Sequence, residues 1–94
     1  FAIYEGRSAA TPHHHLNNWD NEFNLHSVKY AAVYYVEVGD VGADQPGNLS
    51  LHQPDVVIQP NNGDLIIFPA SRMHSAHYNG LKKRIILGIN FYTI

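Results

Sequence analysis

Histidine is the residue type in this sequence with the clearest chemical meaning. The 94 residues include seven histidines and no cysteine, and His13, His14 and His15 are consecutive. Imidazole and carboxylate ligands without sulfur suit iron, manganese, nickel, copper and zinc, and such sites usually keep coordination positions open for chemistry. His13 and His15 would lie on one face of a strand, because side chains alternate along it. The sequence therefore predicts a metal site that uses this pair.

The expected downstream ligand is His74. It follows residues 63–73, in which a glycine-containing turn precedes the apolar residues 65–68 and Pro69 ends the apolar run. These are features of a buried strand between two turns, so His74 should lie just beyond a strand end, at the mouth of the fold. Other side chains that could complete the upstream half of the site are Asp20, Glu22 and His26.

Length and composition predict one domain over residues 1–94, and the first residue, Phe1, is compatible with a fragment that lacks an upstream part. A hydrophobic content of 45% is enough to fill one core. The formal charge is −2 and only 15% of the residues are charged, so the basic surface of a nucleic-acid-binding protein is missing. No apolar run approaches the roughly 20 residues of a membrane-spanning helix. We expect neither nucleic acid nor a membrane as a partner, and a cytoplasmic location, with which the absence of cysteine is compatible.

Most of the chain has the pattern of β-strands. Residues 28–38 are rich in β-branched and aromatic side chains, are too apolar for a solvent-facing strand, and should form a central one. Residues 17–24 should form a turn or a short helix at most. Short strands separated by turns predict an all-β sandwich or barrel with less than about a fifth of its residues helical. The other predicted strands are residues 48–52, 55–59, 65–68 and 84–92.

The last predicted strand has two unequal faces. The odd-numbered positions from Ile85 to Phe91 are all apolar and should pack against the fold. The even-numbered positions from Arg84 to Asn90 are mixed and should line a cavity. Arg84 is thus the cation that the pattern places on the cavity face, and Gly88 leaves room on the same face.

These segments resemble the C-terminal half of the prolyl-hydroxylase-like 2-oxoglutarate/Fe(II) oxygenases. The resemblance rests on Gly-Asp-Leu-Ile-Ile-Phe-Pro at residues 63–69, on the strand that begins at Arg84, and on Lys-Tyr-Ala-Ala-Val-Tyr-Tyr-Val at residues 29–36. It implies an all-β double-stranded β-helix, or jelly roll, that holds one Fe(II). It also implies that His74 is a metal ligand, that Arg84 binds the far carboxylate of the co-substrate 2-oxoglutarate, and that Tyr35 contacts the same carboxylate.

The upstream ligands leave other interpretations open. The family usually has a histidine followed two positions later by Asp or Glu, and this chain offers His13 and His15 instead. A three-histidine site is typical of cupins, a related β-helix family, so a cupin-type metal protein without 2-oxoglutarate is the alternative. A catalytically silent β-helix that binds a small ligand or a partner is the third. The leading hypothesis is a dioxygenase that hydroxylates a small-molecule or peptide substrate, with Trp19 and His77 near the mouth.

Overall fold

A computed structural model of the chain describes residues 2–5, 8–25 and 27–93. Strands account for 47% of the residues and helix for 6%, which confirms the prediction of an all-β fold with little helix. No helix in the described part of the chain is long and apolar enough to cross a bilayer. The elements within these residues are β1 (Ala2–Glu5), β2 (Ser8–His13), α1 (Asn18–Glu22), β3 (Lys29–Glu37), β4 (Leu49–Leu51), β5 (Val56–Ile58), β6 (Leu65–Pro69), β7 (His74–Tyr78) and β8 (Lys83–Tyr92).

The strands form two four-stranded antiparallel sheets. One sheet has the order β1-β8-β3-β6 and the other has the order β2-β7-β4-β5. Between consecutive described strands, the chain changes sheet each time except from β4 to β5. Strand pairs therefore join the two ends of the sequence, β1 with β8 and β2 with β7, and residues far apart in sequence become neighbours.

The predicted strands coincide with β3, β4, β5, β6 and β8, and β3 is an interior strand of its sheet as expected. Two strands, β1 and β7, were not anticipated from the sequence. The strand expected to carry both His13 and His15 is β2, but it ends at His13, so His15 lies beyond the strand and the expectation is wrong for His15. Strand β7 begins at His74, so this residue follows the predicted turn and is the first residue of a strand. The short helix also agrees with the prediction, and its start is fixed by a capping box between Asn17 and Asp20.

The hydrophobic core lies between the sheets. Ala31 on β3 and Phe68 on β6 pack against Leu49 on β4, and all three are buried. Burial of a side chain of the size of leucine or phenylalanine stabilises the fold by about 1.5 to 3 kcal/mol. Partly buried residues that pack against this cluster are Val33, Leu51, Ile58 and Ile66.

On the outer face of the β1-β8-β3-β6 sheet, several apolar side chains of β6 and β8 are exposed. Ile89 on β8 is paired with Ala32 on β3, which is paired with Ile67 on β6. Ile67 is 52% exposed and Ile89 is 53% exposed. The expectation that the odd-numbered positions of β8 pack is therefore wrong at Ile89. Alternation identifies the side chains that share a face, but it carries no information about what lies over that face.

Arg84 closes one end of the sandwich. It is 2% exposed, and its guanidinium donates to the carbonyl oxygens of Val38 at 3.0 Å and Gly47 at 2.7 Å. The guanidinium carbon also lies 5.5 Å from the ring centre of Tyr35 and 5.4 Å from that of Tyr78. Carbonyl acceptors and aromatic faces together compensate for the loss of water around the buried cation.

We predict that Gly47→Ala destabilises the fold by about 2 to 5 kcal/mol. Gly47 has φ +83°, and a Cβ atom there would lie 2.5 Å from the guanidinium carbon of Arg84. The left-handed backbone costs a non-glycine residue about 1 to 2 kcal/mol, and overpacking adds a further 1 to 3 kcal/mol or so. Urea denaturation measures the free energy of unfolding.

Two other glycines serve as controls for this substitution. Gly63 has φ +88° with no heavy atom within 4 Å of the added Cβ, so Gly63→Ala isolates the backbone cost. Gly88 also has open space and no positive φ, so Gly88→Ala should be neutral or slightly stabilising. Equal losses in Gly47→Ala and Gly63→Ala would show that contact with Arg84 contributes nothing.

Candidate metal centre

The pairing of β2 with β7 brings two of the predicted ligands together. His13 is the last residue of β2 and lies opposite His74, the first residue of β7. The register of this pair shifts between Ala10 and His13. Two positions later, the His15 amide donates to the carbonyl oxygen of Ala70 at 2.8 Å, which holds the chain beside the β6–β7 connection. All three histidines therefore lie at one end of the sandwich.

His13, His15 and His74 form a group in which one ligand atom from each lies within 4.8 Å of the others. His15 Nε2 and His74 Nε2 are 3.0 Å apart. Two nitrogens that each bind one ion at about 2.0 to 2.1 Å are themselves roughly 3 Å apart, so this pair already has the spacing of adjacent ligands. The structure thus brings together all three predicted metal ligands.

The electrostatics of the cluster favours neutral imidazoles. His74 Nδ1 lies 3.0 Å from the carbonyl oxygen of Arg72, and a proton on Nδ1 leaves the lone pair of Nε2 directed at the cluster. Burial lowers the pKa of His74, against the opposing effect of that hydrogen bond. Burial, followed by the neighbouring imidazoles of His74 and His13, lowers the pKa of His15 to about 4. Metal ligation requires the deprotonated form, so the cluster is prepared for it.

The looser candidates do not join this group among the described residues. Asp20 is fully buried, and its carboxylate accepts hydrogen bonds from Lys29, Tyr92 and the backbone N–H of Asn17. Glu22 is exposed on α1. His26 lies outside the described residues. No carboxylate is therefore part of the metal-ligand group that the structure describes.

A buried ion pair behind His15 was missed by the sequence analysis. Lys29 Nζ lies 2.7 Å from Asp20 Oδ2 and donates to the His15 carbonyl oxygen, also at 2.7 Å. The hydrogen bond from Lys29, then that from the Tyr92 hydroxyl, lowers the pKa of Asp20 to about 2. The Asn17-x-x-Asp20 pattern indicates a helix start, but nothing local to residue 29 marks this lysine as buried. Its role depends on contacts with distant parts of the chain.

The two residues expected to bind the co-substrate lie together, away from the histidines. Arg84 stacks on Tyr35, which is 2% exposed, and burial raises the pKa of that tyrosine. Tyr78, the other ring beside Arg84, is four residues from His74 on the same face of β7, a separation of roughly 13 Å. The structure places Arg84 and Tyr35 at one end of the interior and the histidine cluster at the other.

His77 and Trp19 are both exposed. His77 is an odd number of residues from His74 on β7, so its side chain projects from the opposite face of the strand. Trp19 is 64% exposed and stacks on Phe23 with 5.7 Å between ring centres. On the outer side of β7, Ser75 Oγ lies 2.9 Å from His52 Nε2, a contact that the sequence did not predict.

Comparison of the chain with protein-family models, with curated proteins and with solved structures gives no match. The interpretation of the site therefore depends on its own geometry. That geometry supports the binding of a metal ion by three imidazoles.

We predict that His15→Ala and His74→Ala each strongly weaken the binding of Co²⁺ or Zn²⁺. The loss should exceed the roughly 10- to 100-fold that is typical when a residue hydrogen-bonded to a metal ligand is substituted. Each substitution removes one of three converging nitrogens. His14→Ala is the matched control, because His14 is exposed and outside the group. Calorimetric titration measures the affinities, and an equal loss in all three variants would contradict the assignment.

We also predict that the metal-free protein loses stability as the pH falls from about 6.5 to about 4. His15 has a folded pKa of about 4, below its ordinary value of 6.5, and the pKa of His74 is lowered as well. In this interval the unfolded chain binds protons that the folded chain does not, so the free energy of unfolding decreases as the pH decreases. Urea denaturation with a chelator present measures the effect.

The variant His15→Asn is the control for this pH dependence, and it should lose less stability over the same interval. A further loss below about pH 4 belongs to Asp20, whose pKa is lowered from 3.8 to about 2, because its stabilising charge disappears as the carboxylate is protonated. That loss should remain in His15→Asn. An identical profile for wild type and variant above pH 4 would contradict the role given to His15.

Proposed function

We propose that the protein binds one metal ion through His13, His15 and His74 and acts as a 2-oxoglutarate- and Fe(II)-dependent dioxygenase. The observation that carries this proposal is the convergence of the three imidazoles at one end of a β-sandwich. The donor set fits Fe(II), since imidazole suits iron and three protein ligands leave positions for other molecules. Iron and 2-oxoglutarate would supply the oxidising chemistry, and the protein would supply binding and orientation.

The proposed fold is a double-stranded β-helix. In support, the described strands pair as β1 with β8, β2 with β7, β3 with β6 and β4 with β5. This is the pairing of one long hairpin whose arms are wound into two facing sheets. Such winding leaves the interior between the sheets as the place for a co-substrate, with one end closed and the other open.

The inner face of β8 supports that placement. Arg84, at the start of the strand, is buried, whereas Gly88 and Asn90, on the same face, are exposed. A Cβ atom added at Gly88 would meet no heavy atom within 4 Å. The interior is thus closed around Arg84 and open towards Gly88, so a primary substrate, a small molecule or a peptide, would enter at the open end.

Arg84 would hold the far carboxylate of 2-oxoglutarate, with the Tyr35 ring packed against the guanidinium. The guanidinium now donates to neutral carbonyl oxygens, including those of Val38 and Gly47. A carboxylate is a stronger acceptor than a carbonyl, because the charge of the anion adds to the hydrogen bond. A buried carboxylate would in turn be costly without a matched cation.

A cupin-type metal protein without 2-oxoglutarate is the second candidate. The specific observation in its favour is that the described ligand group contains three histidines and no carboxylate. Both candidates require the same metal site, so metal binding alone does not separate them. Binding of 2-oxoglutarate does, and Arg84 is the residue through which to test it.

We predict that Arg84→Ala weakens 2-oxoglutarate binding by about 1.5 to 3 kcal/mol, the range for hydrogen bonds to charged groups, and leaves metal affinity nearly unchanged. Arg84→Lys should restore only part of the affinity, because an ammonium lacks the planar fork. Calorimetric titration of 2-oxoglutarate into metal-loaded protein without oxygen measures the effect.

Metal affinity is the internal control for the folding of these Arg84 variants, since the side chain is buried. Equal 2-oxoglutarate affinities in wild type and Arg84→Ala would reject the role of Arg84. No binding of 2-oxoglutarate to the metal-loaded wild type would favour the cupin-type protein or a catalytically silent β-helix.

A further inference from the structure

We infer that Lys29 is a positioning residue that holds His15 in place for metal binding. The inference rests on the proposed metal site and concerns how one of its ligands is fixed. Lys29 begins β3 and is 4% exposed, so its ammonium group lies inside the protein. One of its contacts there is with the main chain of a metal ligand, the His15 carbonyl oxygen at 2.7 Å.

His15 needs such support because it follows the end of β2. Its amide donates to the carbonyl oxygen of Ala70, and its carbonyl accepts from Lys29. These two hydrogen bonds fix both peptide groups that flank His15. They thereby fix the position of the Cα atom from which the imidazole side chain extends. A ligand held in this way loses less conformational entropy when it binds an ion.

Asp20 keeps the ammonium group charged and directed. Its Oδ2 atom lies 2.7 Å from Lys29 Nζ, and its Oδ1 atom accepts a hydrogen bond from the Tyr92 hydroxyl at 2.5 Å. The hydrogen bond to Asp20 raises the pKa of Lys29, against the opposing effect of burial. The pair therefore connects α1, the start of β3 and the end of β8 to the His15 carbonyl.

Stability alone does not explain a charged pair at this position. Well-packed apolar residues of similar volume often stabilise a fold as well as a buried ion pair does, or better. Apolar side chains, however, have no N–H group to donate to the His15 carbonyl. The contact that an apolar pair could not replace is therefore the hydrogen bond from Lys29 to that carbonyl.

The test is the double variant Asp20→Asn/Lys29→Met, which removes the donor to His15 without leaving a lone buried charge. Asn keeps groups that can bond to Tyr92 and to the Asn17 amide. We expect Co²⁺ affinity to fall by about 10- to 100-fold, the range for outer partners of metal ligands. The visible absorption spectrum of bound Co²⁺ should also change, because the His15 imidazole is less well held.

Tyr92→Phe is the matched control. It removes a hydrogen bond from the same network but leaves the contact between Lys29 and His15. Co²⁺ affinity should therefore stay within about threefold of wild type, well short of the loss expected when a residue that holds a metal ligand is removed. The shape of the Co²⁺ spectrum should be unchanged. Asp20→Leu/Lys29→Met is a second test variant with an apolar pair in place of the charges. Thermal denaturation of the metal-free proteins reports on folding separately.

The possible results separate the positioning role of Lys29 from the existence of the metal site. Wild-type affinity and an unchanged spectrum in both folded double variants would overturn the role of Lys29 and leave the metal site intact. Failure of the wild type to bind Co²⁺ would reject the metal site and the positioning role together. Weaker binding and an altered spectrum in a folded double variant, with Tyr92→Phe unchanged, would establish the role.

Discussion

The pairing of β2 with β7 is the constraint on which the cluster of His13, His15 and His74 depends. These strands come from opposite ends of the sequence, and only their register places His13 opposite His74. A slip by one residue would turn one of the two imidazoles to the other face of its strand, because side chains alternate. The register shift between Ala10 and His13 lies directly before the first histidine of the cluster, and such irregularities are common next to functional sites, where they redirect a side chain.

Polar groups occupy the two ends of the interior. Phe68, part of the core cluster, contacts the His74 ring with 4.7 Å between centres, and Arg84 lies at the far end between Tyr35 and Tyr78. The two ends compensate for the loss of solvation in different ways. The arginine keeps its charge and is surrounded by carbonyl oxygens and rings, whereas burial lowers the pKa values of His15 and His74 and favours their neutral forms.

Local sequence patterns predicted the strands with continuous apolar or alternating character, such as β3 and β8, and the three histidines that converge. The spacing of His13 and His15 can be recognised in the local sequence, and so can the turn before His74. The burial of Lys29 has no such signal, because it depends on Asp20 and on Tyr92 at the other end of the chain. The exposure of Ile89 was not predicted for a related reason. Alternation shows which side chains share a face of the sheet, but not whether other residues pack over that face.

The charge balance of the proposed metal site would affect which further ligands it attracts. Three neutral imidazoles leave the charge of a divalent ion uncompensated, and the nearby carboxylate of Asp20 is already matched by Lys29. The bound ion would then be the largest local charge, in a partly buried setting where interactions between charges are stronger than in water. An anionic ligand should therefore take the open positions more readily than a neutral one. A site with one carboxylate ligand would have less of this preference, because the carboxylate already compensates part of the charge of the ion.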